Sequence, residues 1–507
     1  MASTDSSVKS QLDRIAQEAS SNLVDVIVQM ESSRTNLKNL GRAAGQSLRR
    51  RRMALSPRDL LPAQYSDTKR ASLKVRSQTA STRTLLGKAA AEAFSLKGIR
   101  KLGQDSLKEL TRSAIYESAM SRMVKPDKKS SPDRPTPHPF WTSRSMPMQL
   151  TREELESLVS IPQIKAVHVN RKLNLPPMME AKPLATEGED ILSTTYGLQS
   201  LNALAAWGVH GSRGKGVLVG ILDTGIDAEH PDLKDKVEHW AEFDFFGNKV
   251  DSNPHDSDEH GTHCAGTIAG GNASGRHIGV APECKLAAGL VLDGENGGTD
   301  AQVLAGIDWA VDTGVDVLSM SLGGLVFDSS TPPTYTEAIL TCIEAGIPVV
   351  AAIGNDGEQT TGSPGNDLFA LSVGAVDHEN RVAGFSGGRT QILYDSDFIA
   401  PKYLPLPYSK PDVSALGVAV LSSVPGGKWK SFNGTSMATP HVAGAVALLM
   451  GSTKIRSMES GSQLAFAVQD LIIGSVSDRG ESGQDHRYGF GTVDALRAID
   501  FAKERGF

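Results

Sequence analysis

Cysteine is scarce here: Cys264, Cys284 and Cys342 are the only thiols among 507 residues. Three thiols cannot build a disulfide framework, so the fold is expected not to depend on an oxidising compartment. No apolar run approaches the roughly 18 residues that a membrane span requires. The stretch from Met1 to Ser7 is not a basic segment leading into an apolar one, so no secretory signal is read there. The expectation is a cytoplasmic protein, with export by another route left open. No internal repeat is visible. The net charge of −6 is small and by itself points to no partner.

Glycine is abundant, at 50 residues, a share above the usual value of about 7%. The excess falls after residue 200, in short glycine-punctuated runs that suit a turn-rich α/β domain better than a helical bundle. Apolar residues make up 39%. The length suffices for two to four domains and a sizeable core. Charge is placed unevenly. Residues 1–180 hold 31 Lys+Arg against 17 Asp+Glu, which leaves 21 against 41 of the totals of 52 and 58. A basic segment can bind nucleic acid or an anionic membrane, or it can complement its own acidic neighbour. The second reading needs no external partner and is preferred, so a nucleic-acid partner is not expected.

The N-terminal part reads as a strand over residues 22–29, then a basic, helix-prone stretch over 34–125 with Arg49 to Arg52 in a row. Five prolines among residues 125–140 mark a loop. A strand at Met146–Leu150 follows, then a helix over Glu153–Val159 started by Thr151 and Glu154 as a capping box, then a strand at Lys165–Asn170. Residues 174–190 read as extended. Beyond residue 200 the chain alternates. Strands are predicted at Gly216–Leu222, Leu286–Leu292, Asp316–Leu322, Pro348–Ile353 and Ala370–Val376. Helices are predicted at Thr299–Thr313, with Val303, Leu304, Ile307 and Val311 on one face, and at Tyr335–Ala345. Nearly continuous apolar strands between helices predict a parallel sheet covered on both faces.

Asp223 ends the first of those strands, where α/β sheets place their sites. Taken alone, it reads better as a turn-forming acid. His260 stands in Glu259-His260-Gly261-Thr262-His263-Cys264, whose small residues suit a helix packed close to the sheet. A zinc site from His255, His260, His263 and several nearby Asp residues is the competing reading. However, His260 and His263 lack the glutamate of the helical zinc-protease motif. Ser436 stands in Gly434-Thr435-Ser436-Met437-Ala438-Thr439-Pro440-His441, ahead of the apolar run Val442–Met450. It reads as a nucleophile at a helix N-terminus or as a plain cap, with Pro440 placed in the first turn, where its missing N–H is harmless.

Together, in this order and with these neighbours, the blocks resemble the subtilisin-like serine peptidases. The resemblance rests on Leu222–Asp227, His230–Leu233, His260–His263 and Gly434–His441, and covers roughly residues 195–500. It implies a serine endopeptidase, self-processing, with Asp223, His260 and Ser436 as its triad and Asn355 in the oxyanion hole. It also implies substrate-binding edges at Gly297-Gly298-Thr299 and Ser321-Leu322-Gly323-Gly324, where a peptide would add as a strand. It implies an inhibitory propeptide-like α+β domain at 1–180 with a basic insertion over 34–125, a processing region at 181–198, and a subtilisin-like peptidase domain at 199–507. The expected partners are a protein or peptide substrate and the chain's own propeptide.

The sequence departs from the family at one metal site. Asp232 matches a calcium ligand, but Ala273, Arg276 and His277 stand in the loop Gly271–His277 that should supply further oxygens. That site is expected to be weakened or absent, and no cofactor is expected to be required. Residues 388–410 read as an insertion of unreadable role. Two rival functions remain in view. A dinucleotide-binding enzyme is disfavoured because Gly211, Gly214 and Gly216 precede their strand instead of following it. A peptide-binding scaffold, with the N-terminal half as a permanent partner-binding domain, is the remaining alternative.

Overall fold

The computed structural model describes residues 8–9, 11–13, 15–16, 22–31, 96–123, 139–161, 163–175, 179–181, 193–326, 334–394 and 404–507. The stretch 34–95 of the basic insertion and residues 182–192 of the processing region lie outside them.

The first unit is a three-stranded antiparallel sheet. Its strands are β1 (Leu23–Met30), β2 (Ser145–Thr151) and β3 (Ile164–Val169), with β1 in the middle. Short helices accompany it, among them α1 (Leu96–Ser106), α2 (Ala114–Met123) and α3 (Arg152–Ser157). The predicted capping box starts α3. The Glu154 N–H donates to Thr151 Oγ1 at 3.3 Å, and the Thr151 N–H donates to Glu154 Oε2 at 2.9 Å. Val26 and Val28 of β1 and Met146, Met148 and Leu150 of β2 bury one face under Leu110, Met120 and Leu155.

The second unit is built on an eight-stranded sheet. Its strands are β4 (Leu218–Asp223), β5 (Val237–Phe243), β6 (Lys249–Val250), β7 (Lys285–Leu290), β8 (Val317–Met320), β9 (Val349–Ala352), β10 (Leu371–Val376) and β11 (Val413–Leu416). Their spatial order is β11-β10-β9-β8-β4-β7-β5-β6. All pairs are parallel except β5 with β6. Along β4, Val219 and Ile221 enter the core beneath α4 (His260–Ala269), α7 (Thr435–Ser452) and α8 (Ala495–Glu504). Leu222 enters the opposite core, beneath α5 (Asp300–Thr313) and α6 (Thr336–Glu344). The period of two thus serves both faces at once, and this is why the strand reads as nearly continuous apolar sequence.

Three local features differ from the sequence reading. β5, β6 and β11 were not predicted; β5, with the sequence VEHWAEF, lies next to the sheet edge and carries half-exposed and charged residues. Residues 388–410 contain a hairpin of Arg389–Leu393 and Leu406–Lys410. Pro440 is the sixth residue of α7 and lies beyond its first turn, so its missing N–H removes a real helical bond.

Both units meet along α5 and α6, where basic residues of the first face acidic residues of the second. Arg171 reaches Asp300 at 2.8 Å, Lys165 reaches Glu337 at 2.6 Å and Arg100 reaches Asp312 at 2.9 Å. Arg144 also pairs with Glu337. Asp308 accepts the Trp141 N–H at 2.8 Å, the Thr142 N–H at 3.1 Å and the Thr142 hydroxyl.

Candidate active site

β4 lies where the chain order reverses, between β7 and β8, and the carboxyl ends of such strands border a crevice. Asp223 is the last residue of β4. His260 is the first residue of α4 and is wholly buried. The two approach closely, with His260 Nδ1 at 2.6 Å from Asp223 Oδ1. This approach depends on backbone without side chains. A Cβ on Gly261 would stand 2.1 Å from the Gly225 carbonyl oxygen.

A polar clamp joins the same two elements. Thr224, directly after Asp223, accepts the Gly261 N–H at 2.8 Å through its Oγ1. That hydroxyl donates to Asp256 at 2.7 Å. Asp256 also accepts the Thr262 N–H at 2.7 Å and the Thr262 hydroxyl at 2.5 Å. Burial raises the Asp256 pKa, opposed by these hydrogen bonds. Burial likewise works against a charged His260, but Asp223 outweighs it, and the imidazole titrates well above its ordinary 6.5.

Ser436 is the second residue of α7 and is buried. Its hydroxyl donates to the Ser321 carbonyl at 3.0 Å. His260 Nε2 has no hydrogen-bond partner among the described residues, so the hydroxyl is turned aside from the imidazole. Asn355 follows β9, and its Oδ1 accepts both the Thr435 N–H and the Thr435 hydroxyl at 2.8 Å. Because a backbone N–H can only donate, the oxygen is fixed on that side and the Asn355 amide N–H groups are free to point elsewhere. Cys264 Sγ lies 3.9 Å from His260 Nδ1. Burial raises its pKa, so the thiol remains protonated beneath the site.

The edges of the crevice carry segments of the chain itself. Gly298 and Thr299 pair antiparallel with Leu173 and Lys172, and Gly297 pairs with Asp293. Leu173 lies against Gly324, where a Cβ would sit 3.1 Å from its Cδ2. Shortly before Ser436 in the chain, Phe432 and Asn433 pair antiparallel with Glu180 and Met179. This second edge was not seen in the sequence, because nothing in Phe432-Asn433 marks it as a docking strand. Ser321 and Leu322 are buried behind the crevice. Gly323 and Gly324 line its rim.

Residues 214–491 match the profile of the subtilase family. The chain belongs to that family. Over 267 residues this subtilase is 38% identical to subtilisin E of Bacillus subtilis (strain 168), a match that covers 51% of this chain and 61% of that relative. It is equally 38% identical over 267 residues to subtilisin of Bacillus pumilus, covering 51% of this chain and 85% of the relative. With an intracellular serine protease of Paenibacillus polymyxa it shares 35% identity over 289 residues, 55% of this chain and 79% of the other.

Two metal readings can be tested on this subtilase. His255, His260 and His263 do not converge on a zinc site. His263 Nε2 contacts the Val420 carbonyl at 2.9 Å, and His255 Nδ1 contacts the Asn253 carbonyl at 3.0 Å. At the calcium position, Asp232 Oδ1 accepts the Ala273 N–H at 2.7 Å and Oδ2 accepts the Trp429 Nε1–H at 2.6 Å. Calcium needs six to eight oxygens facing it. Both oxygens of Asp232 are turned to N–H donors, so the residues present do not fit calcium there.

Proposed function

We propose that the chain is a serine endopeptidase that cleaves peptide bonds through an acyl-enzyme, with Ser436 as nucleophile. The observation that carries this reading is the Asp223–His260 contact of 2.6 Å with the far nitrogen of the imidazole unpartnered, beside a serine in the first turn of α7. A rotation of the Ser436 side chain brings its hydroxyl from the Ser321 carbonyl toward His260 Nε2. Neutral His260 then takes the proton as Oγ attacks the scissile carbonyl, and later returns it to the leaving amine. Asp223 holds the Nδ1–H tautomer and stabilises the imidazolium. The Asn355 amide and the Ser436 N–H donate to the oxyanion, and Thr435 keeps the amide in the required orientation. Substrate enters as an extended strand on Gly297–Thr299 and Ser321–Gly324, since open backbone edges pair with any sequence.

Residues 1–180 act in this reading as a propeptide-like domain. The pairing of Leu173 with Gly298 and of Met179 with Asn433 supports this reading. Processing follows between about Leu173 and Tyr196. Pro176 and Pro177 lack the N–H groups that a complete strand ladder uses, which disfavours cutting at that point. The name of the Paenibacillus polymyxa relative supports an intracellular setting. The deciding experiment is labelling with a serine-directed fluorophosphonate. Wild type should be labelled at Ser436, and Ser436→Ala should not react. An unlabelled wild type that still binds denatured protein would favour the peptide-binding scaffold instead.

A further inference from the structure

Pro440 withholds a hydrogen bond from the nucleophile's own residue. In an α-helix the carbonyl of residue 436 takes its donor from the N–H of residue 440, and a proline has none. The Ser436 carbonyl is buried, and a buried carbonyl without a donor is costly. Two side chains from other elements reach it. Ser321 Oγ, after β8, donates at 2.9 Å, and Cys264 Sγ, from α4, donates at 3.5 Å. Both residues are buried. Ser321 also receives the Ser436 hydroxyl at its own carbonyl. It therefore holds the serine at its backbone and at its side chain.

We propose that Ser321, through its hydroxyl, is a positioning residue for Ser436, supplying the hydrogen bond that Pro440 denies to the Ser436 carbonyl. This rests on the reading of Ser436 as nucleophile. The two contacts have different fates during reaction. The bond from Ser436 Oγ to the Ser321 carbonyl must break so that the hydroxyl can turn to His260. The bond from Ser321 Oγ to the Ser436 carbonyl can persist throughout. With the carbonyl held, rotation about χ1 is the freedom left to the nucleophile, and that rotation carries it from Ser321 to His260. Cys264 is the weaker second donor, since a thiol donates less well than a hydroxyl.

The test is a double-mutant cycle on the full chain, read by the second-order rate of fluorophosphonate labelling and by kcat and KM on a short peptide. Ser321→Ala should lower the labelling rate and kcat about tenfold, with KM little changed. Ala at position 440 restores a helical N–H, so Pro440→Ala in the Ser321→Ala background should recover most of that loss, measured against Pro440→Ala alone. A role confined to folding would lower the melting temperature without this recovery of rate. If Ser321→Ala does not fold, Ser321→Cys keeps a weak donor and must show a smaller loss, again reversed by Pro440→Ala. A Ser321→Ala rate equal to wild type, or a double variant as slow as Ser321→Ala, overturns the proposal. A wild type that never reacts with the fluorophosphonate overturns the peptidase reading, which is a separate outcome.

Discussion

At the scale of single residues, the site depends on which proton sits where. In the proposed reaction His260 must be neutral to accept the Ser436 proton, and Asp223 raises its pKa above the ordinary 6.5. A base with a raised pKa is deprotonated only at higher pH, so kcat/KM should rise with pH through a midpoint above 6.5. Its charged form contributes stability below 6.5, and that contribution is lost as pH rises through the folded pKa. A kcat/KM profile from pH 5 to 10 checks the sign, and a midpoint below 6.5 would contradict it. Asn355→Ala should lower kcat with little change in KM. The expected loss is roughly 3 kcal/mol, a figure carried over from subtilisin itself and not obtained from this geometry. Both side chains could be named from the sequence because the blocks around them resemble those of a known family. The Thr224–Asp256 clamp could not, since threonine and aspartate beside a turn more often serve the turn.

Among the elements, α5 carries the most informative surface. Burial holds Asp308 at about 7, against hydrogen bonds from Thr142 and Trp141 that pull it down. A carboxyl open to water titrates near 4. The docked state therefore binds the proton more tightly than the separated one, and docking of residues 1–180 should weaken as pH rises from about 4 to about 7. Asp312, whose pKa burial also raises, acts in the same direction. Titrating a separately produced 1–180 fragment against the peptidase part, with and without Asp308→Asn, would measure this. A pH-independent affinity in wild type would count against it. Salt should matter less than the charge imbalance between the two parts suggests. Asp300 and Glu337 are only 0% and 3% exposed in their ion pairs, and among the described pairs between the two units Arg100–Asp312, at 47% and 32%, is the most open to screening.

For the whole molecule, two outcomes follow. Purified wild type should yield two fragments by intact mass, cut between about Leu173 and Tyr196, while Ser436→Ala stays full length. A fully active wild type that remains whole would make residues 1–180 a permanent domain. The melting temperature should not depend on calcium through Asp232, because Ala273 and Trp429 already satisfy its oxygens. Unfolding in EDTA and in millimolar calcium tests this, and Trp429→Phe should lower the melting temperature in both.

From the sequence alone came a parallel sheet with β4, β7, β8, β9 and β10 among its strands, while Asp223, His260, Asn355 and Ser436 were proposed through the resemblance of the blocks around them. Apolar runs and short motif blocks are local properties, readable within ten positions. Tertiary structure alone decided the rest, because it depends on partners far apart in the chain. Ser321 meets the Ser436 carbonyl across 115 positions, Trp429 meets Asp232 across 197, and Lys172–Leu173 lies on Gly298–Thr299. Pro440 shows the boundary most sharply. The sequence reading put it in the first turn, where a missing N–H is harmless; only the folded chain shows that a helical bond is lost and which hydroxyl replaces it.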